Sequence, residues 1–129
     1  MEPGGGRLLG LGLDVVDIPR LAGMLTRRPG LRGRLFTEPE RAYAESMASP
    51  AVTYAGRFAA KEALMKALGV GLGAFDWSDV EVLRREGGSP QLVVRGRAAA
   101  LAAAYGVGAW RVSISHTDKV ASAVVAALS

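Results

Sequence analysis

One segment limits more than any other what this chain can fold into: "PAVTYAGRFAAKEALMKALG", residues 50–69. Ser49 and Pro50 open it as a helix start, and Gly69 closes it as a helix stop. It is the longest helix the sequence predicts, and "GRFAAKEALMKALG" within it reads as amphipathic. One residue does not fit that reading, because Glu62 sits on the shoulder of the apolar stripe.

The remaining elements are shorter. "RLLGLGLDVVDI" is rich in leucine and valine, is broken by Gly10 and Gly12, and reads as a buried strand ending between Asp14 and Asp17. "PRLAGMLTRR" reads as a helix with Pro19 in its first turn and Arg27 and Arg28 at its end, where cations suit the helix dipole. "PGLRGRLF" reads as a connection. Thr37 and Glu40 have capping-box spacing, with Pro39 in the first turn of a helix predicted through about Ala48. "DVEVLRR" and "QLVVRG" form a hairpin across "EGGSP", "RAAALAAAYG" is an alanine-rich helix ended by Gly106, and "WRVSIS" and "KVASAVVAAL" are strands joined by "HTD". The order β, three helices, β, β, α, β, β predicts an α+β domain with a mostly antiparallel sheet and helices on one face.

The 129 residues are one domain's worth, and 50% hydrophobic with 22% charged residues is the balance of a soluble globular protein. With no cysteine, thiolate metal sites, thiol nucleophiles and disulfides are excluded. The apolar runs are too short to span a bilayer, and "MEPGGGRLLG" lacks the basic-then-apolar pattern of a signal peptide, so the cytoplasm is expected. A net charge of +4 favours anionic partners. No nucleic-acid motif accompanies the charge, and aromatic residues make up only 6%.

Helix geometry puts Phe58, Glu62, Met65 and Lys66 on one face. Spacing alone favours a solvated Glu62–Lys66 ion pair. Asp14 interrupts an apolar run and needs a partner if buried; a hydrogen-bonded strand-end aspartate is the simpler reading. Alternatively Asp14 and Glu62 share a hard divalent cation such as Mg²⁺, which takes one or two carboxylates and completes its shell with water and phosphate. His116, the only histidine, ends a predicted strand, where it is either incidental or a base or phosphate contact. Arg20, Arg27, Arg28, Arg32 and Arg34, interleaved with Met24 and Leu25, form a basic patch: a solvated face, or a docking face for an acidic helix.

Together, "GLGLDVVDIPRL", "FTEPERAY", "GRFAAKEALMKALG" and "VSISHTDKVASAVV" resemble the holo-[acyl-carrier-protein] synthase family, the small bacterial 4′-phosphopantetheinyl transferases. The resemblance runs from Leu9 to about Ala127. It implies one transferase domain over residues 1–129, with residues 1–7 a flexible leader, assembling as a trimer with sites between subunits. The implied reaction is Mg²⁺-dependent transfer of 4′-phosphopantetheine from coenzyme A to a serine of an apo acyl carrier protein, with release of adenosine 3′,5′-bisphosphate, in support of fatty acid or polyketide synthesis. By motif position Asp14 and Glu62 would hold the metal, and Glu62, Lys66 and His116 would be catalytic. Arg57, Lys66, Gly88, Pro90, His116 and Thr117 would bind coenzyme A. Arg20, Met24, Arg27, Arg28 and Leu31 would dock the carrier. A non-catalytic basic binding module and another Mg²⁺-dependent phosphoryl-transfer enzyme are the alternatives; the first has no use for Asp14, Glu62, Lys66 and His116 together.

Overall fold

The computed structural model describes residues 6–129. The expected leader falls mostly outside them; Arg7, its last residue, accepts at its carbonyl from the Ser129 amide at 2.9 Å and donates its own amide to Ser129 Oγ at 2.7 Å.

Five strands and five helices follow in the order β1 (Leu8–Asp17), α1 (Ile18–Arg27), α2 (Leu31–Leu35), α3 (Glu38–Glu45), α4 (Pro50–Leu68), β2 (Val80–Arg84), β3 (Pro90–Val94), α5 (Gly96–Ala104), β4 (Ala109–His116) and β5 (Val120–Leu128). A single 3-10 turn, Trp77–Asp79, precedes β2. The α+β class and the antiparallel pairing hold, with three corrections. The strands form two sheets, β1-β5-β4 and the hairpin β2-β3, rather than one, because the five-residue turn closes the hairpin on itself while β5 pairs with its hairpin partner β4 on one edge and with the distant β1 on the other. The connection "PGLRGRLF" contains the one-turn helix α2, which buries Leu35, and α3 stops at Glu45, three residues before the predicted end.

Helix α4 is the axis of the molecule. Nineteen residues at ~1.5 Å each give about 28 Å, the breadth of a small domain. It is buried on most of its circumference, from Tyr54 and Ala55 through Ala59, Ala60, Lys61, Leu64 and Leu68, so the amphipathic reading is also corrected. The three-stranded sheet covers one side, and α1, α3 and β2 cover the other. Small residues make this possible. A Cβ added at Gly10 or Gly12 would overlap the carbonyl oxygens of Ala67 and Ala63, so β1 runs against the α4 backbone with no side chain between them. The opposite face of β1 is uncovered, leaving Leu11, Leu13 and Val15 59–60% exposed on an aliphatic sheet surface.

Lys61 is fully buried. Its ammonium donates to Glu40 Oε1 at 2.7 Å, the Leu35 carbonyl at 2.9 Å and the Trp77 carbonyl at 3.1 Å. Burial holds its pKa below the usual value, and the Glu40 carboxylate opposes that shift. Glu40 also accepts from the amides of Thr37 (2.9 Å) and Val82 (2.8 Å), so the predicted capping box doubles as the anchor joining α3, α4 and β2.

Candidate active site

The close passage of β1 over α4 decides where the carboxylates meet. Asp14 lies two residues beyond Gly12, whose backbone meets that of Ala63, and it pairs with the flanking α4 residues Glu62 and Lys66. Asp14 Oδ1 accepts from Lys66 Nζ at 2.9 Å, and Lys66 also donates to the Leu13 carbonyl at 3.1 Å. The i,i+4 geometry thus leaves Lys66 free to pair across elements with Asp14. That pairing raises the Lys66 pKa, with the side-chain hydrogen bond to Asp14 first and its charge second.

Glu62 is half-buried beside Asp14. Burial, then hydrogen bonding to Asp14, then the Asp14 charge push its pKa up to about 7, against the pull of Lys66. The second Asp14 oxygen, Oδ2, is sealed from solvent and has no donor. Two adjacent carboxyls, one penalised for its charge and one with a buried unpaired oxygen, fit a hard divalent cation, which satisfies both faults at once. Among the described residues no group of three or more His, Cys, Asp or Glu side chains clusters; Mg²⁺ takes as few as one or two carboxylates.

Two grooves flank α4. One, of about 410 Å³, includes Glu62, Phe58 and the α1 residues Arg20 and Met24, so the basic helix and Glu62 share a wall. Asp17 caps α1 by accepting from the Arg20 amide at 2.8 Å. Arg27 and Arg28 are exposed at its far end, whereas Leu31 is partly buried against the core.

The other groove, of about 470 Å³, is walled by His116, Arg57, Pro90, Tyr43 and Arg84. The Arg57 guanidinium lies 4.6 Å from the centre of the Tyr43 ring, and its buried Nε has no hydrogen-bond partner. Burial lowers the Arg57 pKa, with Glu40 and Tyr43 opposing and Arg84 adding to the shift. Arg84 donates to the Tyr43 hydroxyl at 2.9 Å and to the Gly88 carbonyl, so it braces the hairpin turn, in which Gly88 adopts φ +94°. Thr117 is committed to its own turn, accepting at Oγ1 from the amides of Lys119 and Val120 at 3.1 Å.

One chain therefore brings the predicted residues together in two groups. Arg57 and Glu62 are five residues apart, about 140° around a helix, so α4 directs them into different grooves. Tyr43, Arg84 and Lys61 escaped the sequence reading. Lys61 had a signal, since it falls on the stripe of Arg57, Leu64 and Leu68 where a charge has to be buried. Tyr43 and Arg84 had none, because their meeting depends on how the hairpin packs against α3.

Residues 10–125 match the family model for the 4′-phosphopantetheinyl transferase superfamily. A holo-[acyl-carrier-protein] synthase from Moorella thermoacetica is 45% identical over 91% of each chain. The holo-(acyl-carrier-protein) synthase of Bacillus anthracis, solved in complex with CoA (3′,5′-ADP), superposes with a TM-score of 0.79 at 32% identity over 95% of this chain and 97% of that one. The Neisseria meningitidis structure of the same name gives a TM-score of 0.87 at 26% identity over 95% and 100%.

Proposed function

Since the chain belongs to the holo-[acyl-carrier-protein] synthase family, within the 4′-phosphopantetheinyl transferase superfamily, we propose that it transfers phosphopantetheine from coenzyme A to a serine hydroxyl of an apo acyl carrier protein, with Mg²⁺ held by Asp14 and Glu62. The convergence of these two carboxyls across β1 and α4, with Asp14 Oδ2 buried and unpaired, carries the assignment. The coenzyme A bound in the relatives from Bacillus anthracis and Helicobacter pylori supports the choice of donor.

The serine oxygen forms a bond to the phosphorus that bears the pantetheine arm, and the bond to adenosine 3′,5′-bisphosphate breaks. Such a transfer needs positioning and charge neutralisation more than a protein nucleophile. Mg²⁺, when bound, neutralises the pyrophosphate and polarises its phosphorus. Lys66, whose side chain is 57% exposed, reaches from Asp14 to a phosphate oxygen. A water held by Glu62 takes the serine proton, and His116 is the competing acceptor. His116, Arg57, Pro90 and the Gly88 turn bind coenzyme A in the larger groove, with Thr117 shaping the adjoining turn. Arg20, Met24, Arg27 and Arg28 on α1 take the acidic carrier by charge and apolar contact, and Leu31 packs beneath them.

The two grooves become one site when copies assemble: the Asp14, Glu62 and Lys66 group of one protomer faces the His116 groove of the next. The aliphatic face of Leu11, Leu13 and Val15 supports a trimer assembled through the three-stranded sheet. Among the described residues no helix is long and apolar enough to cross a membrane, in keeping with a cytoplasmic role in fatty acid or polyketide synthesis. Incubation with coenzyme A, Mg²⁺ and an apo carrier should add about 340 Da to the carrier by this metal-assisted transfer. An unchanged mass across several carriers, with folded enzyme, would refute the proposal.

A further inference from the structure

Helix α1 ends without a left-handed cap. Its C-cap, Arg28, has φ −125° and ψ 87°, and the Arg28 amide turns back to the Met24 carbonyl. The next carbonyl, that of Leu25, is one of the four that a helix end leaves without an internal partner. It accepts instead from Arg32 Nη1 at 3.3 Å, a donor on α2 beyond the Pro29–Gly30 break.

Arg32 is itself held. Its Nε is buried and lies 3.7 Å from Glu45 Oε2 on α3, and its guanidinium sits 5.5 Å from the centre of the Tyr54 ring on α4. The Tyr54 hydroxyl donates to the same Glu45 oxygen at 2.7 Å. One guanidinium thus fastens the last turn of α1 to three other helices. As an ion pair the Arg32–Glu45 contact is long and half-exposed, so it adds little stability. Its geometry matters more, since a fixed cation at a helix C-terminus both satisfies the carbonyl and opposes the dipole.

We infer that Arg32 is a positioning residue that sets the angle at which α1 presents Met24, Arg27 and Arg28 to the carrier protein. The inference rests on the reading of α1 as the carrier-docking helix. Glu45 and Tyr54 keep the guanidinium on the Leu25 carbonyl, and Arg32 is not itself a carrier contact.

Steady-state kinetics of the full enzyme with Arg32→Gln test it, with Arg28→Glu as the control for docking. Arg32→Gln should raise the KM for carrier about fivefold, as expected for losing a fixed cation at a helix terminus, leaving kcat and the KM for coenzyme A unchanged. Amide exchange at Arg28 should quicken, while the dependence of carrier KM on salt keeps its wild-type slope. Arg32→Lys should recover part of the loss. Should Arg32→Gln destabilise the fold, Glu45→Gln, which only loosens the guanidinium, should produce a smaller change of the same kind.

An unchanged carrier KM in Arg32→Gln alongside a raised one in Arg28→Glu overturns the positioning role and leaves docking intact. Unchanged values in both variants overturn the docking reading and the inference with it. A flatter salt dependence in Arg32→Gln marks a direct charge contact and overturns positioning, as does an equal rise in both KM values.

Discussion

Removing the charge of Glu62 should stabilise the metal-free enzyme, and only above mildly acidic pH. The folded-state pKa of Glu62 is about 7 against an ordinary 4.5. The folded protein therefore binds more protons than the unfolded chain between those values, and stability must fall as pH rises. The contribution is present in full below 4.5 and is lost as pH rises through about 7. Fully expressed, that difference corresponds to about 3 kcal/mol. The carboxyl is half-buried, so solvent screening brings the expected effect to about 1–2 kcal/mol.

Urea unfolding in chelator, comparing wild type with Glu62→Gln at a series of pH values, measures it. Below pH 4.5 the two should differ little; at pH 8 the glutamine variant should be more stable by the amount above. Mg²⁺ at about a hundredfold excess over its Kd should then restore ~2.7 kcal/mol to the wild type alone. A stability difference that does not change with pH, or a less stable Glu62→Gln at pH 8, would refute the account of two crowded carboxyls.

Lys61→Met should cost about 3–5 kcal/mol in the same urea assay, because it leaves Glu40 charged and unpaired in the core; a loss under about 1 kcal/mol would mean Glu40 finds another donor. Leu13→Glu should convert the proposed trimer to monomers in sedimentation and abolish transfer while leaving the far-ultraviolet circular dichroism intact, since it puts a carboxylate on the open sheet face; a variant that sediments as the wild type does would refute assembly through this face. Arg57→Lys should weaken coenzyme A binding in calorimetry by about tenfold, because an ammonium does not keep the flat stack on Tyr43; unchanged affinity would remove Arg57 from the donor site.

Much of this was legible before any coordinates. Thr37 and Glu40 announced a capping box that forms as read, with both reciprocal bonds in place. Period-2 alternation located β4 and β5, and Gly69, with φ +72°, ended α4 where expected. Local signals sufficed there because turns, caps and pleats are settled by neighbours in sequence. The division into two sheets was not legible, since it depends on which strand edges meet across more than a hundred residues. Short α2 was missed because one turn is too little for periodicity to register. At the site, the order of Asp14, Glu62, Lys66 and His116 in the chain carried the family, but spacing paired Lys66 with Glu62. The preference for Asp14 appears only once β1 lies on α4. The five-residue spacing of Arg57 and Glu62, about 140° around a helix, implies different faces of α4, but the grooves those faces meet are formed by distant segments packing on either side.

Gly10 and Gly12 determine how freely the rest of the molecule can drift. Because backbone touches backbone where β1 crosses α4, the gap between Asp14 and Glu62 is set by two missing methyl groups rather than by the sizes of the core side chains around them. Leucines and valines elsewhere in the core can be exchanged over generations without retuning the carboxylate pair. A single carbon added at either glycine would push the strand off the helix and separate the two carboxyls. The same contact sets a boundary for engineering: replacing glycine by alanine, a common route to a stiffer chain, is closed at these two positions and open at Gly30 or Gly71, where a methyl group meets nothing.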